Sequence, residues 1–191
     1  MKSEIKILKL LLSNKEEVFT IKKIAERTGI NYRIAYEKIK SLEKENLVKA
    51  TKTGNTKICK FTNKFDKKVF EAEYERRLDL FKKNKDFLVL YKMLSELNFP
   101  FIVLLFGSYA KGKATKHSDI DLLVVCEGKR EHKIQEIFDL FPLKIHPTFT
   151  KFEDFMKMLK TKEFSVVLEA VKNNIILVGI EDYYRLIENA E

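Results

Sequence analysis

The sequence predicts an α+β protein with two unlike halves joined by helix. Three observations lead there. The first 70 of 191 residues carry 18 Lys and Arg against 8 Asp and Glu, while the remainder carries 19 against 20. Apolar residues recur at helical spacing up to Leu42, then give way to two β-compatible runs around Gly54-Asn55. Beyond Pro100, runs apolar on both faces interleave with amphipathic ones, the pattern of buried strands alternating with helices.

In order, Ile5, Leu8, Leu11 and Leu12 mark a helix over 3–13. Thr20 is placed to cap a second helix carried by Ile21, Ile24 and Ala25 and ended near Gly29. Asn31 caps a third, with Ala35, Ile39 and Leu42 inward. Residues 47–53 and 56–62 flank the Gly-Asn turn of a hairpin. Residues 67–97 read as one or two charged connecting helices, with Phe70, Tyr74, Leu78 and Phe81 on one stripe. Strands follow at 101–106 and 119–126, a helix at 130–140 and a strand at 143–149. Thr150 is then positioned to cap a helix through Leu159. A helix near 163–173, a strand at 175–178 and a last helix from Glu181 complete the order. The expected division is 1–66, a connector over 67–97, and 98–191.

The hydrophobic content of 45% beside 34% charged residues is that of a soluble globular chain. No apolar run approaches the length of a membrane span, and the N-terminus lacks a signal-peptide core. Cys59 and Cys126 are far apart with no metal-ligand spacing around them, so neither a disulfide framework nor a zinc site is expected, and the cytoplasm is the expected compartment.

The stretch that carries chemistry is 107–121. Gly107 ends a strand and, without Cβ, lets a ligand approach the backbone. Ser108 opens a short helix whose free N–H groups suit a phosphate. Asp119 and Asp121 stand two apart at the mouth of the next strand, on one face and roughly 6.6 Å apart along it. Paired carboxylates repel unless a cation lies between them. Mg2+ takes such oxygen ligands and keeps room for substrate phosphates. Lys111, Lys113 and Lys116 stand on the connector, where they would balance triphosphate charge. Residues 107–113 also satisfy Gly-x-x-x-x-Gly-Lys, but Ala114 lacks the hydroxyl a P-loop needs, and no long helix precedes Asp119.

Gly107-Ser108, then Ser118-Asp119-Ile120-Asp121-Leu122, resembles the signature of the nucleotidyltransferase superfamily that includes polymerase beta-like and minimal nucleotidyltransferases. The resemblance covers about 98–180. It implies Asp119 and Asp121 as catalytic metal ligands and Gly107 and Ser108 as nucleotide contacts, to which Lys111 on the connector and Ser118 beside Asp119 are added as expected nucleotide-binding residues. It also implies Mg2+ as cofactor, and transfer of a nucleoside monophosphate from an NTP such as ATP. Catalytic members usually carry a third carboxylate on a later strand. Here the corresponding strand, 143–149, holds none; His146 stands in its place, and Glu153 and Asp154 follow on the next helix. The acceptor, a protein among the alternatives, stays open.

The first 62 residues resemble winged-helix transcription regulators. The resemblance implies double-stranded DNA as partner, with Asn31, Tyr32, Arg33, Tyr36 and Lys40 on the recognition helix and Lys52 and Lys57 beside the wing turn. A homodimer is the usual prior for such regulators. The alternative to a transferase is a regulator whose second domain is an inactive sensor or dimerisation module.

Overall fold

The computed structural model describes residues 1–54, 56–115, 118–161 and 165–190. The chain divides into two units, Met1–Arg76 and Arg77–Glu191.

The first unit opens with α1 (Ser3–Ser13), which buries Ile5, Ile7, Leu8, Leu11 and Leu12. A two-residue strand β1 (Phe19–Thr20) follows, too short to leave a periodic signal, and it pairs Phe19 with Cys59. In α2 (Ile21–Thr28) the Thr20 hydroxyl accepts from the Lys23 N–H at 3.2 Å, and Gly29 ends the helix at φ 65°. In α3 (Tyr32–Lys44) the Asn31 side-chain Oδ1 accepts from the Arg33 N–H at 2.9 Å. Both caps stand where the sequence put them. Strands β2 (Val48–Thr53) and β3 (Thr56–Phe61) pair antiparallel, and the sheet order is β1-β3-β2. Of the expected Gly54-Asn55 turn, Asn55 lies outside the described residues.

Helix α4 (Lys67–Lys83) corrects an expectation. Tyr74 and Leu78, assigned to its apolar stripe, are exposed, while Val69, Ala72, Glu73 and Arg76 are buried. Charged residues can turn inward here because they neutralise each other. Arg76 Nη1 donates to Glu73 Oε2 at 2.6 Å, and Arg76 Nε donates to Ser13 Oγ at 3.0 Å. Breaking such a buried pair leaves an uncompensated charge. Burial also pushes the Lys15 amine down to about 8, against the opposing pull of Glu73.

The second unit takes in the end of α4, then α5 (Asp86–Ser95), β4 (Ile102–Leu105) and the single turn α6 (Gly107–Ala110). After β5 (Ile120–Val125) come a 3-10 turn at Gly128–Arg130, α7 (Glu131–Asp139) and β6 (Ile145–Thr150). Then follow α8 (Phe152–Thr161), α9 (Val166–Lys172), β7 (Ile175–Val178) and α10 (Ile180–Ala190). The sheet is mixed, in the order β6-β5-β4-β7, with β5 and β6 parallel and the other pairs antiparallel. Thr150 closes β6 rather than capping a helix, and the side-chain cap seen in this stretch is Ser165, which accepts from the Leu168 N–H.

Alternation divides the sheet's two faces. Val103, Leu105, Ile120, Leu122 and Val124 pack with Phe87, Leu90, Leu94, Ile134 and Phe138 of α5 and α7. Ile102, Leu104, Leu123 and Val125 are buried on the opposite face, where α9 packs on β5 and α10 on β4. Asp121 has the parity of Leu123 and Val125, so its side chain belongs to the α9 face.

Candidate functional site

Two elements build the mouth of the site. Strand β4 ends as the Phe106 N–H donates to the Asp121 carbonyl at 3.0 Å, and the chain turns at Gly107 with φ 66°. A Cβ built on Gly107 would stand 2.1 Å from Asp121 Oδ2. Glycine is therefore required twice over, for its backbone angle and for the space the carboxylate occupies. Ser108 lies in the α6 turn, which Tyr109 ties to α5 by packing its ring edge-on against Phe87 at 5.3 Å. Asp119 stands one residue before β5, and Ile120 between the two acids is buried in the core.

The acids do not sit in equivalent fields. Partial burial raises the Asp121 pKa; the charge of His146 opposes this, and those of Asp119 and Glu169 add to it. Two basic side chains attend Asp119, one from the residue just before β6 and one from β6 itself. Lys144 Nζ lies 3.2 Å and His146 Nδ1 3.5 Å from its carboxylate. Among the described residues, no group of three or more His, Cys, Asp and Glu side chains is placed to hold a metal ion.

Of the expected nucleotide contacts, Gly107 and Ser108 flank the pair. The Lys111 ammonium is 3.4 Å from Glu169 on α9. Ser118 shapes the loop instead, its hydroxyl accepting from the Thr115 N–H at 2.8 Å. Lys113 donates its backbone N–H to Ser108 at 2.9 Å, and Lys116 lies outside the described residues.

The strand beside β5 carries no acid, and the parallel register sets His146 directly opposite Asp121. Glu153 does not make up the deficit. It lines a cleft of about 670 Å³ with Glu127, Arg130 and Lys151, beyond the C-terminal ends of β5 and β6 and so at the other end of the sheet from the pair. Asp154 follows it on α8, exposed. Glu169, whose charge acts on Asp121, was not singled out from the sequence. It lies 48 residues past Asp121 on a short helix, and no local spacing connects the two.

In the first unit, a groove of about 1090 Å³ runs between α2, the start of α3 and the hairpin. Asn31, Tyr32, Tyr36, Lys52 and Lys57 line it. Lys40 and Lys57 lie 5.7 and 6.0 Å from the Tyr36 ring centroid, so helix and hairpin converge there. Lys52 and Lys57 stand opposite each other across the hairpin, as do Lys49 and Lys60. Like charges directly opposed destabilise a hairpin, and a polyanion would remove that cost. Arg33 is engaged by Glu37 at 3.2 Å, and Asn31 is occupied as the α3 cap.

Residues 78–182 match the family model described as polymerase beta, nucleotidyltransferase, and residues 4–54 match that described as HTH domain. No curated protein and no solved structure matches the chain.

Proposed function

The chain belongs to the polymerase beta nucleotidyltransferase family, and from that premise we propose that its second unit binds Mg2+ and a nucleoside triphosphate and transfers a nucleoside monophosphate to an acceptor. The observation that carries this reading is the Asp121 carboxylate seated against Gly107, with Asp119 two residues before it. The fit to Mg2+ rests on the donor set. Two carboxylate groups supply hard oxygen ligands, and a cation relieves the repulsion that helps raise the Asp121 pKa. Two protein carboxylates suffice for Mg2+, which usually keeps waters and substrate phosphates as its other ligands. When bound, the ion would neutralise phosphate charge and polarise the reacting oxygens. The chain's own residues would do the positioning. Gly107 admits the phosphates, Ser108 and Lys111 engage them, and Lys144 and His146 hold the Asp119 carboxylate in place until a cation competes for it.

The HTH unit is proposed to bind double-stranded DNA through Tyr32, Arg33, Tyr36, Lys40, Lys52 and Lys57, with Asn31 holding the helix start. The opposed lysines and the groove between helix and hairpin support it. Residues 1–66 would then serve DNA, 98–191 the nucleotide, and 67–97 would connect them.

Calorimetry with ATP and GTP, with and without Mg2+, tests the nucleotide reading on the wild type and Asp121→Asn. Binding that needs Mg2+ and is lost in the variant is expected. No binding by the wild type would sink it. A second reading, a DNA-binding regulator with an inactive second unit, is favoured by one observation: Lys144, just before β6, and His146, on it, face Asp119 where an acid would be expected. On that reading Asp119→Asn changes DNA affinity and abolishes no transfer.

A further inference from the structure

We infer that Glu169 on α9 is the general base of this site, supplying from a helix the carboxylate that β6 lacks; the inference rests on the nucleotidyl-transfer reading above. Three observations carry it. First, the parity of β5 turns Asp121 toward the sheet face on which α9 packs, so the helix and the carboxylate share one side of the sheet. Second, α9 buries Val167 and Ala170 against that face and leaves Glu169 partly exposed, with 46% of its side chain open to solvent. Third, Lys111, at the end of the α6 turn that begins with Gly107, holds the Glu169 carboxylate at 3.4 Å. The ion pair therefore ties α9 to the loop between Ser108 and Asp119.

Among the described residues, the acids considered above are committed elsewhere. Asp119 and Asp121 form the cation pair, and Glu153 lies at the far end of the sheet. His146 is engaged with Asp119. Glu169 has an open face and a partner, Lys111, that a triphosphate would draw away, which frees the carboxylate for the acceptor. In the step, the acceptor is a hydroxyl. Its proton passes to a Glu169 carboxylate oxygen while an oxygen lone pair forms the bond to the α-phosphorus of the NTP. The bond from that phosphorus to the oxygen bridging to the β-phosphate breaks, and pyrophosphate leaves with the electron pair. Glu169 then returns its proton to water.

The test uses the full chain with Mg2+·ATP. Calorimetry reads binding and an enzyme-coupled assay reads pyrophosphate release, with water and glycerol as acceptor hydroxyls. Glu169→Gln is expected to lower kcat by about 10²–10⁴-fold, the range for a lost general base. Its affinity for Mg2+·ATP should change less than about fivefold, since only an exposed ion pair is lost there. Formate should restore part of the rate in Glu169→Ala, which a merely structural role would not allow. Unchanged pyrophosphate release by Glu169→Gln overturns the inference. So does a loss that formate does not rescue, or one matched by loss of ATP binding. A wild type that binds Mg2+·ATP yet releases no pyrophosphate also overturns it, while leaving the nucleotide site standing. A wild type that binds no nucleotide refutes the nucleotidyl-transfer reading itself.

Discussion

Replacing Gly107 with alanine and comparing it with the same change at Gly112 separates backbone strain from the geometry of the site. Both glycines lie at φ 66°. A left-handed alanine costs about 1–2 kcal/mol at either position. Beyond that the sites differ. A Cβ at Gly112 meets nothing within 4 Å, whereas at Gly107 it lies 2.1 Å from Asp121 Oδ2, well inside the 3.4 Å at which ordinary contact begins. The carboxylate must swing aside, and an off-rotamer side chain adds about 0.5–1.5 kcal/mol. Gly107→Ala should thus lose about 1.5–3.5 kcal/mol in urea unfolding, and Gly112→Ala about 1–2 kcal/mol. Calorimetry should show Mg2+·ATP affinity falling at least about tenfold in Gly107→Ala, a change of about 1.4 kcal/mol, because the ligand carboxylate is displaced. Gly112→Ala should bind as the wild type does. Equal stability losses in the two variants, or wild-type nucleotide affinity in Gly107→Ala, would refute the claim that Gly107 is kept for the sake of Asp121.

Two further outcomes follow from the first unit. Lys57→Ala should weaken binding to any duplex and flatten the log affinity against log salt slope by about 0.9, one phosphate contact. The same variant should melt no lower than the wild type, because it also removes one of two opposed lysines; an unchanged salt slope in anisotropy titrations would count against the hairpin as a DNA contact. Lys15 has a folded pKa of about 8 against 10.5 in the open chain, so between those values the unfolded state binds more protons and stability rises with pH. Below about 8 the cost is fully present, with a ceiling of about 3 kcal/mol at 1.36 kcal/mol per unit. Lys15→Met should reduce the gain in urea midpoint between pH 8 and 10, and a rise as steep as the wild type's would place the cause elsewhere.

Much of this chain is written locally. A capping residue acts within one turn, so Thr20 and Asn31 mark α2 and α3 without help from distant residues. The Gly-Ser and Asp-x-Asp spacing is likewise local, because one turn and one strand start bring Gly107 to Asp121. The buried strands from Ile102 and Ile120 are apolar on both faces because helices cover both faces of the sheet. Other features are decided by partners far away in sequence. The stripe on α4 misled because Glu73 and Arg76 cancel each other's charge and reach Ser13 of α1, so polar residues lie inside and Tyr74 and Leu78 outside. Strand β1 exists only because β3 offers it an edge.

The carboxylate pair and its glycine were therefore determined by sequence alone, through short-range sterics and the two-residue period of a strand. What surrounds the pair was decided by tertiary structure. The parallel register of β5 and β6 puts Lys144 and His146 at Asp119, and the packing of α9 on β5 brings Glu169 to the same side. No spacing rule reaches across 48 residues and two intervening helices. A charge that far along the chain comes to the site only when the sheet between them is built and both of its faces are covered.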